Sequence, residues 1–135
     1  MNTIPPGEWA IAKLSLESGE ITSITPGEKP TLSPDHKILA FLRNGQLWVR
    51  YMISGTEHVA YKPHFFEGGV RSPFWLADSN TLIFNIVTGS DAFGEGARCT
   101  ELDLASGKVK VLWEGENACL AAVRPAFLRS EVDRN

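Results

Sequence analysis

Cysteine is scarce in this chain: two residues, Cys99 and Cys119, among 135. Their separation fits no metal-ligand spacing, and in a chain without a leader they are read as two buried, reduced thiols. Long apolar runs are also missing, since no stretch approaches the roughly 18 residues that a membrane helix requires. The start, Met1-Asn2-Thr3-Ile4-Pro5-Pro6-Gly7, has neither a basic opening nor an apolar core and so is not a signal peptide. This predicts a cytoplasmic protein, or a periplasmic one if a leader has been removed. Charge of one sign is lacking too. The net charge is −3, and Lys and Arg occur singly, so nucleic acid is not expected as a partner, and without a spanning stretch neither is a membrane. No window carries a helical apolar stripe, which leaves an all-β protein.

What is present is alternation and short apolar runs. Trp9 to Leu16 alternates, and Glu17-Ser18-Gly19-Glu20 turns it into Ile21 to Ile24. Ile38 to Leu42 is apolar throughout, as suits a strand covered on both faces. Asn44-Gly45 then signals a tight hairpin into Gln46 to Tyr51. Thr81 to Val87 is a second apolar run. Cys99 to Leu104, the turn Ala105-Ser106-Gly107-Lys108 and Val109 to Trp113 follow.

The chain repeats itself. A Ser-Gly turn between two strands occurs at Ser18-Gly19, Ser54-Gly55 and Ser106-Gly107. A short strand, an Asp-led polar turn and an apolar strand ending in Phe occur at Leu32 to Phe41 and again at Trp75 to Phe84, aligned on Asp35 and Asp78. A period of about 40 residues suits units of four strands.

Ser33-Pro34-Asp35-His36-Lys37, Phe41, Leu47-Trp48-Val49 and Ser54-Gly55 resemble the TolB-type or PD40 β-propeller repeat, found also in prolyl-oligopeptidase-family propeller domains. Leu76-Ala77-Asp78-Ser79-Asn80, Phe84, Leu102-Asp103-Leu104 and Ser106-Gly107 are similar to it with more departures. His36 stands where the repeat usually has Gly, and Ala77 where it has Pro. The resemblance implies radially stacked four-stranded blades, and it implies little about function, because one fold hosts many activities.

Strands are labelled A to D outward from the propeller axis. On that scheme 29–61 and 71–113 are complete blades, and 9–24 supplies strands C and D of a third. Segment 120–132 offers an A-like and a B-like strand, so that 9–24 and 120–132 share a blade within one domain spanning 1–135. About three blades are fewer than closed single-chain propellers hold. Two copies closing a six-bladed ring, as a homodimer or part of a larger assembly, is one expectation. A piece of a longer propeller is the other.

Binding residues are expected on the D-to-A and B-to-C connections, which emerge on one face. The loop Lys62 to Arg71 contributes His64, Phe65, Phe66 and Arg71, and the Gly-rich loop Gly89 to Arg98 contributes Asp91, Phe93, Glu95 and Arg98. Aromatics beside Arg favour protein-binding hot spots, although Phe65 or Phe66 could instead plug the space between blades. Asp78 and Asp103 suit turn bonds better than acid–base work. Trp48, Trp75 and Trp113 fall where blades touch, which favours packing over ligand stacking. His36, His58 and His64 have no ligand spacing, and no nucleophile elbow or phosphate loop is found, so no metal, cofactor or catalytic residue is assigned. The expectation is a non-catalytic protein-binding module, with small-molecule or carbohydrate binding in the channel as the alternative.

Overall fold

The computed structural model describes residues 9–65, 67–91 and 94–115, and every element in them is a strand. In chain order these are β1 (Ala10–Leu14), β2 (Ile21–Pro26), β3 (Glu28–Leu32), β4 (Ile38–Arg43) and β5 (Gln46–Tyr51), then β6 (Glu57–Tyr61), β7 (Val70–Trp75), β8 (Thr81–Asp91), β9 (Gly94–Asp103) and β10 (Val109–Gly115). They form a hairpin, β1-β2, and two antiparallel meanders, β3-β4-β5-β6 and β7-β8-β9-β10. The meanders are called the first and second blades below. Segment 120–132 lies outside the described residues.

The apolar runs are explained by stacking. Along β4, Leu39 and Phe41 point toward the hairpin and pack with Ile11, Ile24 and Trp48. Ala40 and Leu42 point the other way and join Leu47 and Val49 against Val70, Leu82, Phe84, Ile86 and Leu102 of the second blade. A strand covered on both faces has no polar side to show, so alternation disappears there. Each large side chain buried in these layers contributes roughly 1.5–3 kcal/mol. Ile83 and Cys99 are buried on the second blade's far face, with Phe74 and Ala97 beside them.

The repeat is written into the backbone as well. Lys29 and Ser72 both have positive φ, 52° and 55°, and each precedes a proline. Each also lies in a register shift, between Glu28 and Thr31 in one blade and between Arg71 and Phe74 in the other. A bulge tolerates proline because no ladder bond is asked of its nitrogen. His36 and Ser79 form a second equivalent pair, with φ of 64° and 55°. A glycine at the position of His36, as in the repeat that the sequence resembles, would suit this left-handed backbone. At the Asn44-Gly45 turn both φ values are positive, 54° and 73°, as a two-residue hairpin of this twist demands.

Three sequence expectations need correction. Gly89 to Arg98 is not a loop, because β8 runs to Asp91 and β9 starts at Gly94, with Gly89 opposite Gly96 and Ser90 opposite Glu95. Backbone pairing extends the hairpin there despite its residues' weak strand propensity. Trp113 does not pack into a described core; it is half-exposed on β10, all of whose residues are exposed. Cys99 is not a free thiol but disulfide-bonded, its partner lying outside the described residues.

Candidate functional site

The two ends of the blades are built differently. At the lower end, the A-to-B and C-to-D turns satisfy their polar groups among themselves. Asp35 Oδ1 accepts from Ser33 Oγ at 2.6 Å and from the Lys37 amide at 3.0 Å. Asp78 accepts from the Asn80 and Thr81 amides at 2.9 and 2.8 Å, and from Thr81 Oγ1 at 2.6 Å. Asn80 Nδ2 donates to Asp103 Oδ1 at 2.9 Å, tying one turn to the next. Hydrogen bonds from Ser33 to Asp35, from Thr81 to Asp78 and from Asn80 to Asp103 hold all three carboxyls below their ordinary range. Asp78 and Asp103 make turn bonds, as their sequence context predicts.

The upper end carries the D-to-A and B-to-C connections. In the first blade these are short: Gly27 joins β2 to β3, and Asn44-Gly45 joins β4 to β5. In the second blade they are long. Residues 62–69 cross from β6 to β7, and the β8–β9 arm rises beside them. Gly68 donates its amide to the Val87 carbonyl at 2.7 Å, and the Val87 amide donates to the Gly69 carbonyl at 3.1 Å. A Cβ on Gly68 would stand 2.7 Å from the Val87 Cβ, so only glycine permits this approach.

Glu67 fixes the loop. Its side chain is 1% exposed, and its carboxylate accepts from Arg98 Nη2 at 2.7 Å. It also accepts from the His64 amide at 2.7 Å and from Tyr61 Oη at 3.3 Å. The Glu67 amide in turn donates to the His64 carbonyl at 2.9 Å, closing the turn reciprocally. A buried carboxylate needs such partners, and here they come from β6, the loop and β9 together. Burial, followed by the adjacent Glu67 charge, raises the Tyr61 phenol above its ordinary range. Within this turn Phe65 is 100% exposed, so it does not plug the space between blades.

The residues singled out from sequence therefore divide. The His64 amide and the Arg98 side chain meet at Glu67 and Phe65 stands exposed in the same turn, while Arg71 is exposed at the start of β7, facing Asn85 in the ladder. Asp91 and Glu95 sit on the arm as backbone partners of Gly94 and Ser90. Phe66 and Phe93 lie outside the described residues. Sequence reasoning passed over Glu67, because nothing local marks an acid whose partners come from other elements.

It also passed over the joint between hairpin and first blade. There Arg43 donates from Nε to the Pro26 carbonyl at 2.9 Å, and from Nη2 to Thr25 Oγ1 at 2.7 Å and Glu57 Oε1 at 3.0 Å. Its guanidinium lies 4.5 Å from the Trp48 ring centroid and 4.9 Å from that of Phe41. Arg50 Nη1 completes the cluster, donating to Glu57 Oε2 at 2.9 Å. Burial pushes the Glu57 carboxyl up, but bonds from Thr25, Arg50 and Arg43 outweigh it and hold the group below its ordinary value. Beside this joint is a cleft of about 470 Å³, rimmed by exposed Trp9, Glu28 and Asn44.

No protein-family pattern and no curated protein matches the chain. Solved structures do. An oligogalacturonate lyase from Vibrio parahaemolyticus is 15% identical with a TM-score of 0.63, over 77% of this chain and 33% of that one. TolB from Acinetobacter baumannii is 16% identical with a TM-score of 0.61, over 76% of this chain and 26% of the other. The β-propeller domain of the Trilobed protease from Pyrococcus furiosus, of open velcro topology, is 23% identical with a TM-score of 0.60, over 81% and 35%. The chain thus spans about a third or less of the length of each. With its meanders stacked face to face in chain order, it has the fold of TolB-like β-propeller blades.

Proposed function

We propose that this chain is a non-catalytic protein-binding module that grips its partner with the upper face of the second blade. One observation carries the reading: Phe65 is fully exposed at the apex of a turn held by buried Glu67. A turn whose backbone is already held costs less ordering entropy on association, and aromatics with Arg dominate interface energetics. The β8–β9 arm beside it widens the contact surface, with Arg98 at its base.

The test is affinity capture followed by titration of the purified partner. Phe65→Ala should weaken binding at least about tenfold while leaving the melting temperature unchanged. A fall in melting temperature with affinity intact would return the ring to a packing role and overturn the reading.

A second reading is favoured by coverage, since the chain matches only 33% of the oligogalacturonate lyase and 35% of the protease propeller. As part of a larger TolB-like or peptidase-associated propeller, the innermost strands would face a channel suited to a small molecule or carbohydrate. Glu28, Lys29, Arg71 and Ser72 are exposed on those strands. Ligand-dependent protection of that row from hydrogen exchange, with Phe65→Ala silent, would favour it.

A further inference from the structure

We propose that the cleft at the joint between hairpin and first blade is a second binding site, and that it takes a neutral pyranose sugar. This goes beyond the upper-face reading, which concerns the second blade, and does not depend on it.

The cleft exists because the connection beside it is so short. β2 passes to β3 through Gly27 alone, whose φ is 151°. A Cβ there would stand 2.7 Å from Phe41 Cδ2 and 3.0 Å from the Leu42 carbonyl oxygen, so the position admits no side chain. At the next joint the equivalent connection is residues 62–69, and it lies close against the neighbouring turn, where the Val70 amide donates to the Gly45 carbonyl at 3.0 Å. The single glycine leaves about 470 Å³ open beside Leu42, a volume within the range of small-molecule sites.

The groups around this space are of two kinds. Arg43 and Glu57 are engaged with each other and with Thr25 and Arg50, and only Arg43 Nη1 is left without a partner among the described residues. Trp9, Glu28 and Asn44 are exposed, and their side chains make no hydrogen bond or ion pair among the described residues. Their backbones are nevertheless held. The Gly27 amide donates to the Trp9 carbonyl at 2.9 Å, Glu28 pairs with Leu42, and Asn44 sits in the tight turn at a φ of 54°. The cleft therefore offers an indole face, a carboxylate that accepts, an amide that both donates and accepts, and a spare guanidinium N–H.

Charge narrows the ligand. Arg43 and Arg50 balance Glu28 and Glu57, so the cluster is neutral as a whole. An anion entering the cleft would meet two carboxylates, and an organic cation would meet the Arg43 guanidinium. A neutral ligand meets neither repulsion. It needs an apolar face for Trp9 and edge groups that both donate and accept for Glu28, Asn44 and Arg43. A pyranose has both, with axial C–H bonds over its face and hydroxyls around its rim.

Titration of residues 1–135 with cellobiose, maltose and lactose, read by tryptophan emission and amide NMR shifts, tests this. At least one sugar should bind with a dissociation constant of about 1 mM and shift the amides of Gly27, Glu28 and Asn44. Trp9→Ala should weaken that binding at least about tenfold and remove the emission change. Asn44→Gly, which suits the positive φ and so keeps the turn, should weaken it about threefold without lowering the melting temperature. Glu28→Gln keeps an acceptor and should stay within about twofold, whereas an ammonium ligand would lose its counter-charge. Tighter binding of choline or adenosine than of every sugar would overturn the proposal. So would shifts centred on Arg71 and Ser72, or silence from all three sugars at about 50 mM. Phe65→Ala should leave sugar binding unchanged and Trp9→Ala should leave partner capture unchanged, so this proposal and the upper-face reading fail separately.

Discussion

The two blades share their scaffolding and differ in what they raise above it. Both have a bulged innermost strand with a left-handed residue before proline, at Lys29 and Ser72, and a left-handed residue in the lower turn, at His36 and Ser79. Both bury a phenylalanine completely at the same place in the second strand, Phe41 and Phe84. The first blade then closes its B-to-C hairpin in two residues, whereas the second extends it into an arm braced by the Glu67 loop. What repeats is what stacking requires; what does not repeat is free to serve a partner.

The largest way to break this comparison is to empty each core in turn. Phe41→Ala and Phe84→Ala should each cost about 3–5 kcal/mol in urea unfolding. If Phe41→Ala proved much the milder, the hairpin would be a loose appendage and not an equal neighbour. Next comes Glu67→Gln, which has no counterpart in the first blade. Removing the charge facing Arg98 should cost about 1.5–3 kcal/mol and deprotect the amides of residues 62–69 in hydrogen exchange. Unchanged protection would mean the loop is held some other way.

The paired left-handed residues sharpen the comparison further. His36→Gly relieves an unfavourable backbone and should stabilise by about 0.5 kcal/mol. Ser79→Gly relieves the same strain but removes the Ser79 Oγ that accepts from the Asp35 amide at 3.0 Å, so a loss of about 0.5 kcal/mol is expected. Equal effects in thermal melts would show that the bond contributes nothing. The smallest effect is on acid stability. Asp35, Asp78 and Asp103 are held below 3.8 and Glu57 below 4.5 by their hydrogen bonds. A carboxyl whose pKa is lowered by folding stabilises the fold above its ordinary value, and that contribution fades as pH falls through the lowered one. Melting temperature should therefore hold steady from pH 7 to about pH 5 and drop as these groups protonate, with Asp78→Asn flattening part of the fall.

Much of the fold was legible in the residues. The apolar run at Ile38, the Asn44-Gly45 turn and the thrice-repeated Ser-Gly turn each encode a local decision, and local decisions are what sequence patterns record. The Asp-led turns were legible for the same reason, since each Asp bonds amides within three residues of itself. The site was harder. Glu67 draws on Tyr61, the His64 amide and Arg98, and the last is 31 residues away, so no spacing announces it. The arm misled because glycines at 89, 94 and 96 read as loop, although pairing between backbones asks little of side chains. Trp113 misled because the outermost strand of a blade leaves even a large ring beside solvent.

One small bond has a wider consequence. The Asp35 amide reaches Ser79 at the lower turns, and Trp75 Nε1 reaches the Thr31 carbonyl at 2.9 Å along the inner strands. Both clamp one unit to the next away from the upper rim. The upper end is tied too, since the Val70 amide donates to the Gly45 carbonyl at 3.0 Å, so the two blades are fastened to each other at head and foot, like books held between two rails. Variation in such an array should accumulate only where a connection rises beyond those ties, as the β8–β9 arm does, and be resisted at the turns that carry them.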